Sequence, residues 1–381
     1  MNILFHCWEY PPRGSGIGRY VYHMARALRE SGHFTLIVTS YGNEGPSEEA
    51  IENGIIYRFY PIEDIGKKKT TELVLRKAQE HRIDWIEGTE HLGETALLLE
   101  HRMRPPVLIK THYNDVLKRA RYAQAYYPWQ KILIDLACWR DRERLRRELN
   151  SIEKADILTS PTNRILQETE QQGLRLPVRR FVVPNPITPP TAWVNREDSS
   201  PTITLIGRID IGKGIEYLPG ILDRLILRFP NLRLEVVGGD SYARFLGSTR
   251  SWLLRKLGGR DKYVRFLGAV SHKEIDEIYR RSWVVIVPSR WDTFPTVVLE
   301  AMIRGKAIVA SPHGGMPEML SGTECVVADP ATSHFAEAVA GFLTDPVKRR
   351  RAGDSALEKA RHDYDPQKIA SDYIAILNAA A

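Results

Sequence analysis

Apolar positions along the chain follow two alternating rhythms. Short runs that are apolar at nearly every residue alternate with stretches in which apolar residues recur every three or four positions. The first run, "NILFHCW" (2–8), predicts a β-strand at the very start. Ile17, Tyr20, Val21, Met24 and Leu28 then recur at helical spacing, and Gly32 follows as a helix C-cap. "HFTLIVTS", "DWIEGT", "PVLIKTHYN" and "ADILTSP" read as later strands of the same half. Around Val183 the rhythm breaks. "VVPNPITPPTAW" carries Pro184, Pro186, Pro189 and Pro190, a composition that stiffens a linker and interrupts periodic structure, so a hinge is expected there.

The second half restarts the alternation. "TITLIG" predicts a strand, and Tyr217, Leu218, Ile221, Leu222, Leu225 and Ile226 form a helical stripe. "LRLEVVGG", "VRFLG", "WVVIVPS", "AIVAS" and "CVVAD" predict further strands, and "SHKE" (271–274) is a capping-box pattern ahead of Ile275 and Ile278. Asp365–Pro366 suits the start of a last helix, with an N-cap and then proline at the first helical position. Strand–helix alternation at this spacing means parallel sheets. The fold class is therefore α/β, with two Rossmann-like, doubly wound domains facing across a cleft: an N-terminal domain over 1–186 and a C-terminal domain over 187–363.

Composition narrows the function. With 43% hydrophobic and 27% charged residues, the 381-residue chain can build two cores. No apolar run approaches the roughly 18 residues of a membrane span. The N-terminus lacks the basic and small-residue features of a signal peptide. Cys7, Cys138 and Cys325 are scattered and odd in number, which favours a reducing cytosol over a disulfide framework or metal site. The net charge of +7 suits an anionic substrate or surface, but no aromatic–basic module points to nucleic acid. Lys67–Lys69 and "WRDRERLRRELN" (139–150) are local basic clusters. The second reads first as a solvated helix face with mixed-sign pairs, and otherwise as a phosphate or lipid-headgroup contact. "YAQAYYPWQKILIDLACW" (122–139) reads as a core helix plus loop, with an aromatic lip for a lipid-linked acceptor as the alternative.

Three stretches carry candidate chemistry. "PPRGSGIGRY" places Gly14, Gly16 and Gly18 ahead of the first helix, where backbone N–H groups can approach an anion. The G-x-G-x-G spacing, and a second strand ending in Thr39 and Ser40 without an acidic residue, argue against a dinucleotide fingerprint. "GRIDIGKG" puts Arg208 and Lys213 on the loop after a strand, where open α/β sheets bind ligands; a guanidinium fork and an ammonium together suit a diphosphate. In "SRWDTFPTVVLEAM", Pro295 fits the first helical position, leaving the N–H groups of Thr296, Val297 and Val298 as a donor cluster. Asp292 precedes that cluster and Glu300 lies more than a turn into the helix, so the two carboxylates can reach different parts of one extended ligand.

These segments resemble the family 4 retaining glycosyltransferases of the GT-B fold. "GRIDIGKG", "VRFLGAVSHKEIDEIYRRS", "VPSRWDTFPTVVLEAMIRGKAIVAS" and "GGMPEML" match its second half, and "YPPRGSGIGRYVYHMARALRESGH" matches its glycine loop and first helix. The family carries two glutamates with seven residues between them; here Asp292 holds the first place and Glu300 the second. The resemblance implies that Arg208 and Lys213 neutralise the leaving diphosphate and that Glu300 holds the nucleotide ribose. It assigns sugar hydroxyls to Asp292 with the backbone of Phe294 to Thr296, through Pro295 and on to Val297. Gly14 and Gly16 belong to a loop that closes on the phosphates, and His112, in "THYND", faces the donor sugar. Arg19, Tyr113 and Asn114 are acceptor-side candidates, and a helix over 364–381 crosses back to the first domain.

The implied activity is transfer of a hexose or N-acetylhexosamine, with retention, from a nucleotide diphosphate sugar to the hydroxyl of a small-molecule, glycan or lipid-linked acceptor. A UDP-sugar is favoured over a GDP-sugar. The sugar nucleotide is a co-substrate; no cofactor and no metal are expected, because two cationic side chains do the work of Mg²⁺ and no Asp-x-Asp pair appears. The expected location is cytoplasmic, with a peripheral contact at the inner membrane face as the alternative. Two rivals stay open: a sugar-nucleotide epimerase of the same fold, and a sugar-nucleotide-binding protein whose activity decayed at Asp292.

Overall fold

The computed structural model describes residues 1–11, 16–40, 47–112, 142–190, 192–243 and 247–380. Gly14, Tyr113, Asn114, Cys138 and the aromatic stretch 122–139 lie outside the described residues. The chain forms two compact units, with boundaries between Thr188 and Pro189 and between Asp363 and Tyr364.

The first unit begins with β1 (Asn2–Cys7), α1 (Gly16–Glu30), β2 (Phe34–Ser40), β3 (Glu48–Ile51) and β4 (Gly54–Tyr60). It continues through α2 (Lys68–Glu80), β5 (Trp85–Thr89), α3 (Ala96–Glu100), β6 (Val107–Lys110), α4 (Arg142–Glu153), β7 (Ile157–Ser160), α5 (Asn163–Glu170) and β8 (Arg180–Val182). The sheet order is β3-β4-β2-β1-β5-β6-β7-β8, parallel except for β3, which runs antiparallel to β4. The strands read as unbroken apolar runs because both faces are covered. Alternation sorts them: Ile3 and Phe5 face a core shared with Met24 of α1, whereas Leu4 faces a core with Val74 of α2 and Leu98 of α3. Each such side chain taken fully out of water contributes about 1.5–3 kcal/mol.

α1 stops where glycine allows it. Gly32 has φ +84°, its N–H donates to Arg29 O at 2.9 Å, and His33 N–H reaches back to Leu28 O at 3.0 Å. That is the paired closure of a Schellman motif. The β3–β4 hairpin turns through Glu52 and Asn53, with Ile51 opposite Gly54 and Asn53 at φ 52°. Asparagine tolerates that left-handed backbone better than most residues, but the apolar rhythm does not announce the turn.

The second unit contains β9 (Thr202–Ile206), α6 (Leu218–Leu225), β10 (Arg233–Val237), a small antiparallel ribbon of β11 (Tyr242–Ala243) and β12 (Gly247–Ser248), α7 (Thr249–Leu257) and β13 (Val264–Gly268). Then come α8 (His272–Arg281), β14 (Val284–Val287), α9 (Thr296–Met302), β15 (Ala307–Ala310), α10 (Met316–Leu320), β16 (Val326–Val327), α11 (Ser333–Thr344) and α12 (Pro346–Asp363). Its parallel sheet runs β13-β10-β9-β14-β15-β16. Counted from its own first strand this is the order 3-2-1-4-5-6 of a doubly wound dinucleotide-type sheet. Ser271 caps α8 with the full capping box to Glu274.

α13 (Pro366–Ala380) belongs to the first unit. Asp365 caps it by accepting from Lys368 N–H at 2.9 Å, and Tyr373 and Leu377 are buried in the α1-side core. The proline-rich connection is anchored at both ends. Val183 N–H bonds Ser160 O at 2.8 Å and Ile187 N–H bonds Tyr364 O at 3.0 Å, which ties 183–187 to the first unit. Beyond Ala192, Arg280 stacks on Trp193 and Arg349 grips Glu197 with two hydrogen bonds of 2.6 and 2.9 Å.

Several side chains of the basic clusters have acidic partners close by. Lys67 and Lys69 both pair with Asp64, and Lys68 pairs with Glu72. On α4, Arg147 pairs with Glu143 and Arg144 with Glu148, one turn apart, which is the mixed-sign helix face.

Candidate active site

In the second unit, β9 hydrogen-bonds to both β10 and β14. The chain leaves β9 toward one side of the sheet and returns at β14 on the other. The loops after these two strands therefore flank a topological switch point, the place where open parallel sheets bind ligands. The β9 loop carries "GRIDIGKG" and the β14 loop carries "SRWDTF".

Two glycines let these loops touch. Gly214 has φ +73°, and a Cβ there would lie 1.9 Å from Pro288 O. Gly314 has φ +66°, and a Cβ there would lie 2.0 Å from Asp292 O. Only glycine permits both the left-handed turn and the close approach. Gly315 N–H donates to Asp292 O at 3.0 Å and Arg290 N–H to Gly212 O at 2.9 Å, so three loops share one hydrogen-bonded seam.

Lys213 and Asp292 meet across that seam, Nζ to Oδ2 at 2.6 Å. They stand 79 residues apart in sequence and come together because β9 and β14 are neighbours. Arg208 is exposed on the same loop and makes no ion pair among the described residues. Glu300 is buried in α9, where Tyr279 Oη donates to its Oε2 at 3.1 Å.

The start of α9 differs from expectation by one position. Pro295 is the N-cap, with ψ 119°, and Thr296 is the first helical residue. The Val298 N–H donates to Pro295 O at 3.0 Å, which removes it from the expected donor cluster. Thr296 and Val297, in the first turn, have no intrahelical acceptor available. Phe294 is buried beneath this turn.

In the first unit, the corresponding strand ends carry a different set. The carboxylate of Glu90, directly after β5, accepts the His112 N–H with both oxygens, at 2.8 and 3.1 Å. This fixes the chain where it leaves β6. The His112 ring lies 4.8 Å from that of Tyr20, and burial holds the imidazole well below its ordinary pKa, so it is neutral. Its Nε2 is buried and has no hydrogen-bond partner among the described residues. Lys110 is fully buried, donates to Val183 O, and lies 4.8 Å from the Tyr20 ring centre. Burial also lowers its pKa. His6 approaches Glu94 at 3.5 Å, but burial depresses its pKa to about 3, so the contact is not an ion pair near neutrality. Gly16 opens α1, where the nearby Gly18 N–H donates to Glu9 Oε1 at 3.2 Å; Arg19 is half-buried on the same helix.

Two family models match successive parts of this chain. Glycosyltransferase Family 4 covers residues 14–189 and Glycosyl transferases group 1 covers 192–359. The chain belongs to the family 4 glycosyltransferases. Among relatives of this family, the glycogen synthase of Mycobacterium tuberculosis is 23% identical over 97% of this chain and 93% of its own length. Sucrose-phosphate synthase from Thermosynechococcus elongatus superposes with a TM-score of 0.79 at 20% identity, covering all of both chains. Anabaena HepE, solved with UDP-glucose, gives 0.69 at 16% identity, again over both full chains. The two-domain α/β fold is thus that of GT-B glycosyltransferases, and this family 4 chain is a glycosyltransferase.

The structure of this family 4 enzyme brings Lys213, Asp292 and the α9 start together in the second unit, with Arg208 on the rim. It also shows residues that the sequence reading did not single out: Glu90, which grips His112; Tyr279, which holds Glu300; and the Arg290–Glu216 ion pair beside Lys213 and Asp292. Glu90 had a local signal, an acidic residue at the end of a buried strand. The other three had none, because their partners are distant in sequence.

Proposed function

We propose that this glycosyltransferase moves a hexose or N-acetylhexosamine from a UDP-sugar to an acceptor hydroxyl with retention of configuration. The observation that carries the reading is Lys213 on the β9 loop at the switch point, beside exposed Arg208 and next to the α9 N-terminus. As the bond from the anomeric carbon to the β-phosphate oxygen breaks, negative charge builds on the diphosphate. Arg208 and Lys213 receive it, without the reorganisation that water would need. The acceptor oxygen bonds to the same face of the anomeric carbon, and its proton passes to the departing phosphate oxygen. Two fixed cations supply the charge that Mg²⁺ supplies elsewhere, so the reaction is metal-independent.

Asp292 takes the sugar hydroxyls, with the backbone of Phe294, Pro295 and Thr296 beside it, and Glu300 takes the ribose. The Tyr279 hydroxyl bond keeps Glu300 in one rotamer. Gly14 and Gly16 serve the phosphates, and neutral His112 serves the sugar as a hydrogen-bonding group rather than a charge. Arg19, Tyr113 and Asn114 are assigned to the acceptor side. The solved complex of HepE with UDP-glucose supports uridine as the base. No helix among the described residues is long and apolar enough to cross a membrane.

The test is a thermal-shift titration with UDP, GDP, UDP-glucose and GDP-mannose, with and without EDTA. A ligand at a hundred times its Kd stabilises by about 2.7 kcal/mol. UDP and a UDP-sugar should raise the melting temperature equally in both buffers. No shift with any of the four at millimolar concentration would overturn the donor assignment, and a shift abolished by EDTA would overturn metal independence. Retention is read from the anomeric coupling constant of the product in proton NMR.

A further inference from the structure

Two ion pairs bridge the β9 and β14 loops, and their signs are crossed. The β9 loop and the turn after it supply Lys213 and Glu216; the β14 loop supplies Asp292 and Arg290. Each loop is locally neutral, and each finds its counter-charges on the other. The two rungs differ in exposure. Lys213 and Asp292 are 29% and 21% exposed, whereas Arg290 and Glu216 are 12% and 16%. The inner rung has further support: the Arg290 guanidinium lies 5.3 Å from the Tyr217 ring centre, and its backbone N–H bonds Gly212 O, the residue before Lys213. Arg290 Nε donates to Glu216 Oε1, whereas the buried Oε2 has no hydrogen-bond partner among the described residues, so Arg290 is the counter-charge of this largely buried carboxylate.

We propose that Arg290 and Glu216 are positioning residues that hold the two loops in register while the outer rung opens to the donor. The inference rests on the donor reading above. A diphosphate drawn to Lys213 and sugar hydroxyls drawn to Asp292 replace their mutual ion pair. During that exchange the inner rung and the Arg290-to-Gly212 backbone bond carry the alignment. Removing one partner leaves a buried charge alone, and the Lys213 ammonium then loses its fixed distance to the phosphates. The effect is expected on the phosphate-bearing part of the ligand, because Lys213 is the group whose position the inner rung fixes.

The experiment compares full-length wild type with Arg290→Met, Glu216→Gln and the swapped double variant Glu216→Arg/Arg290→Glu. Kd is measured for UDP and for uridine, and melting temperature is recorded without ligand. The single variants should weaken UDP at least tenfold and uridine less than twofold. The swapped variant should return to within about threefold of wild type for UDP. That rescue is a readout that a global packing defect does not produce. Unchanged UDP affinity in both single variants would overturn the proposal, as would equal losses for UDP and uridine. Wild type that binds no nucleoside diphosphate overturns the donor assignment and this inference with it. Wild-type binding with unaffected variants overturns the positioning role alone.

Discussion

Apart from the antiparallel β3 and the added β8 of the first, the two units wind outward from their first strands in the same way, and both place residues of interest at strand ends. They differ in how charge is kept there. In the second unit, Lys213, Asp292 and Arg208 sit at or near the surface, paired across loops or facing water. In the first, His6, Lys110 and Glu94 are fully buried, and His112 is driven to its neutral form. One topology thus supports two chemistries. Loops that remain in contact with water keep full charges available for an ionic ligand. Burial at the first unit's strand ends instead drives His6 and His112 to their neutral forms and leaves them as uncharged hydrogen-bonding groups.

The strongest way to break that contrast is to remove the available charge. Lys213→Ala or Arg208→Ala should lower turnover by about a hundredfold or more, if phosphate stabilisation has the size of an oxyanion-hole donor. Single-turnover rates with saturating donor measure it; near-normal rates would mean that the second unit does not handle the leaving group. Next in size is the loop seam. Gly214→Ala forces a side chain into a left-handed turn 1.9 Å from Pro288 O. We expect a loss of at least about 2 kcal/mol in stability, read as a fall in denaturant midpoint, with weakened UDP binding.

The first unit is probed by acid. His6 has a folded pKa of about 3, below its ordinary value, because burial disfavours the charged ring. The unfolded chain therefore binds the extra proton first, and stability falls as pH drops from about 6.5 toward 3. The difference between wild type and His6→Asn should move against wild type by about 1.4 kcal/mol for each pH unit in that window. Parallel curves for the two proteins between pH 6 and 4 would refute the buried neutral assignment. The smallest effect is reserved for surface pairs. Arg147→Ala on α4 removes an exposed one-turn ion pair to Glu143 and should cost less than about 0.5 kcal/mol.

Much of this architecture is legible in the sequence. Strands such as β1, β9 and β14 are covered on both faces, so they stand out as uninterrupted apolar runs, and helices α1 and α6 show their stripes because only one side is buried. β3 did not stand out because, at the sheet edge, it is only partly buried, and the turn into β4 through Asn53 leaves no mark on the apolar rhythm. The motif residues of the second unit were readable in type and order. Their pairing was not. Lys213 meets Asp292, and Arg290 meets Glu216, through a contact between loops set by strand adjacency, which no local periodicity encodes. The start of α9 was off by one residue because proline suits both the N-cap and the first helical position, and the Pro295 backbone takes the extended conformation.

The hydrogen bond from Ile187 to Tyr364 has a consequence for how the gene can be cut. It holds the outgoing and returning chain side by side at the rim of the first sheet, while α13 completes that sheet's hydrophobic layer. In topological terms the second unit is a cassette inserted into the first. A short splice from 187 to 364 should yield a minimal first unit, whereas simple truncation after Asp363 would strip away part of its core.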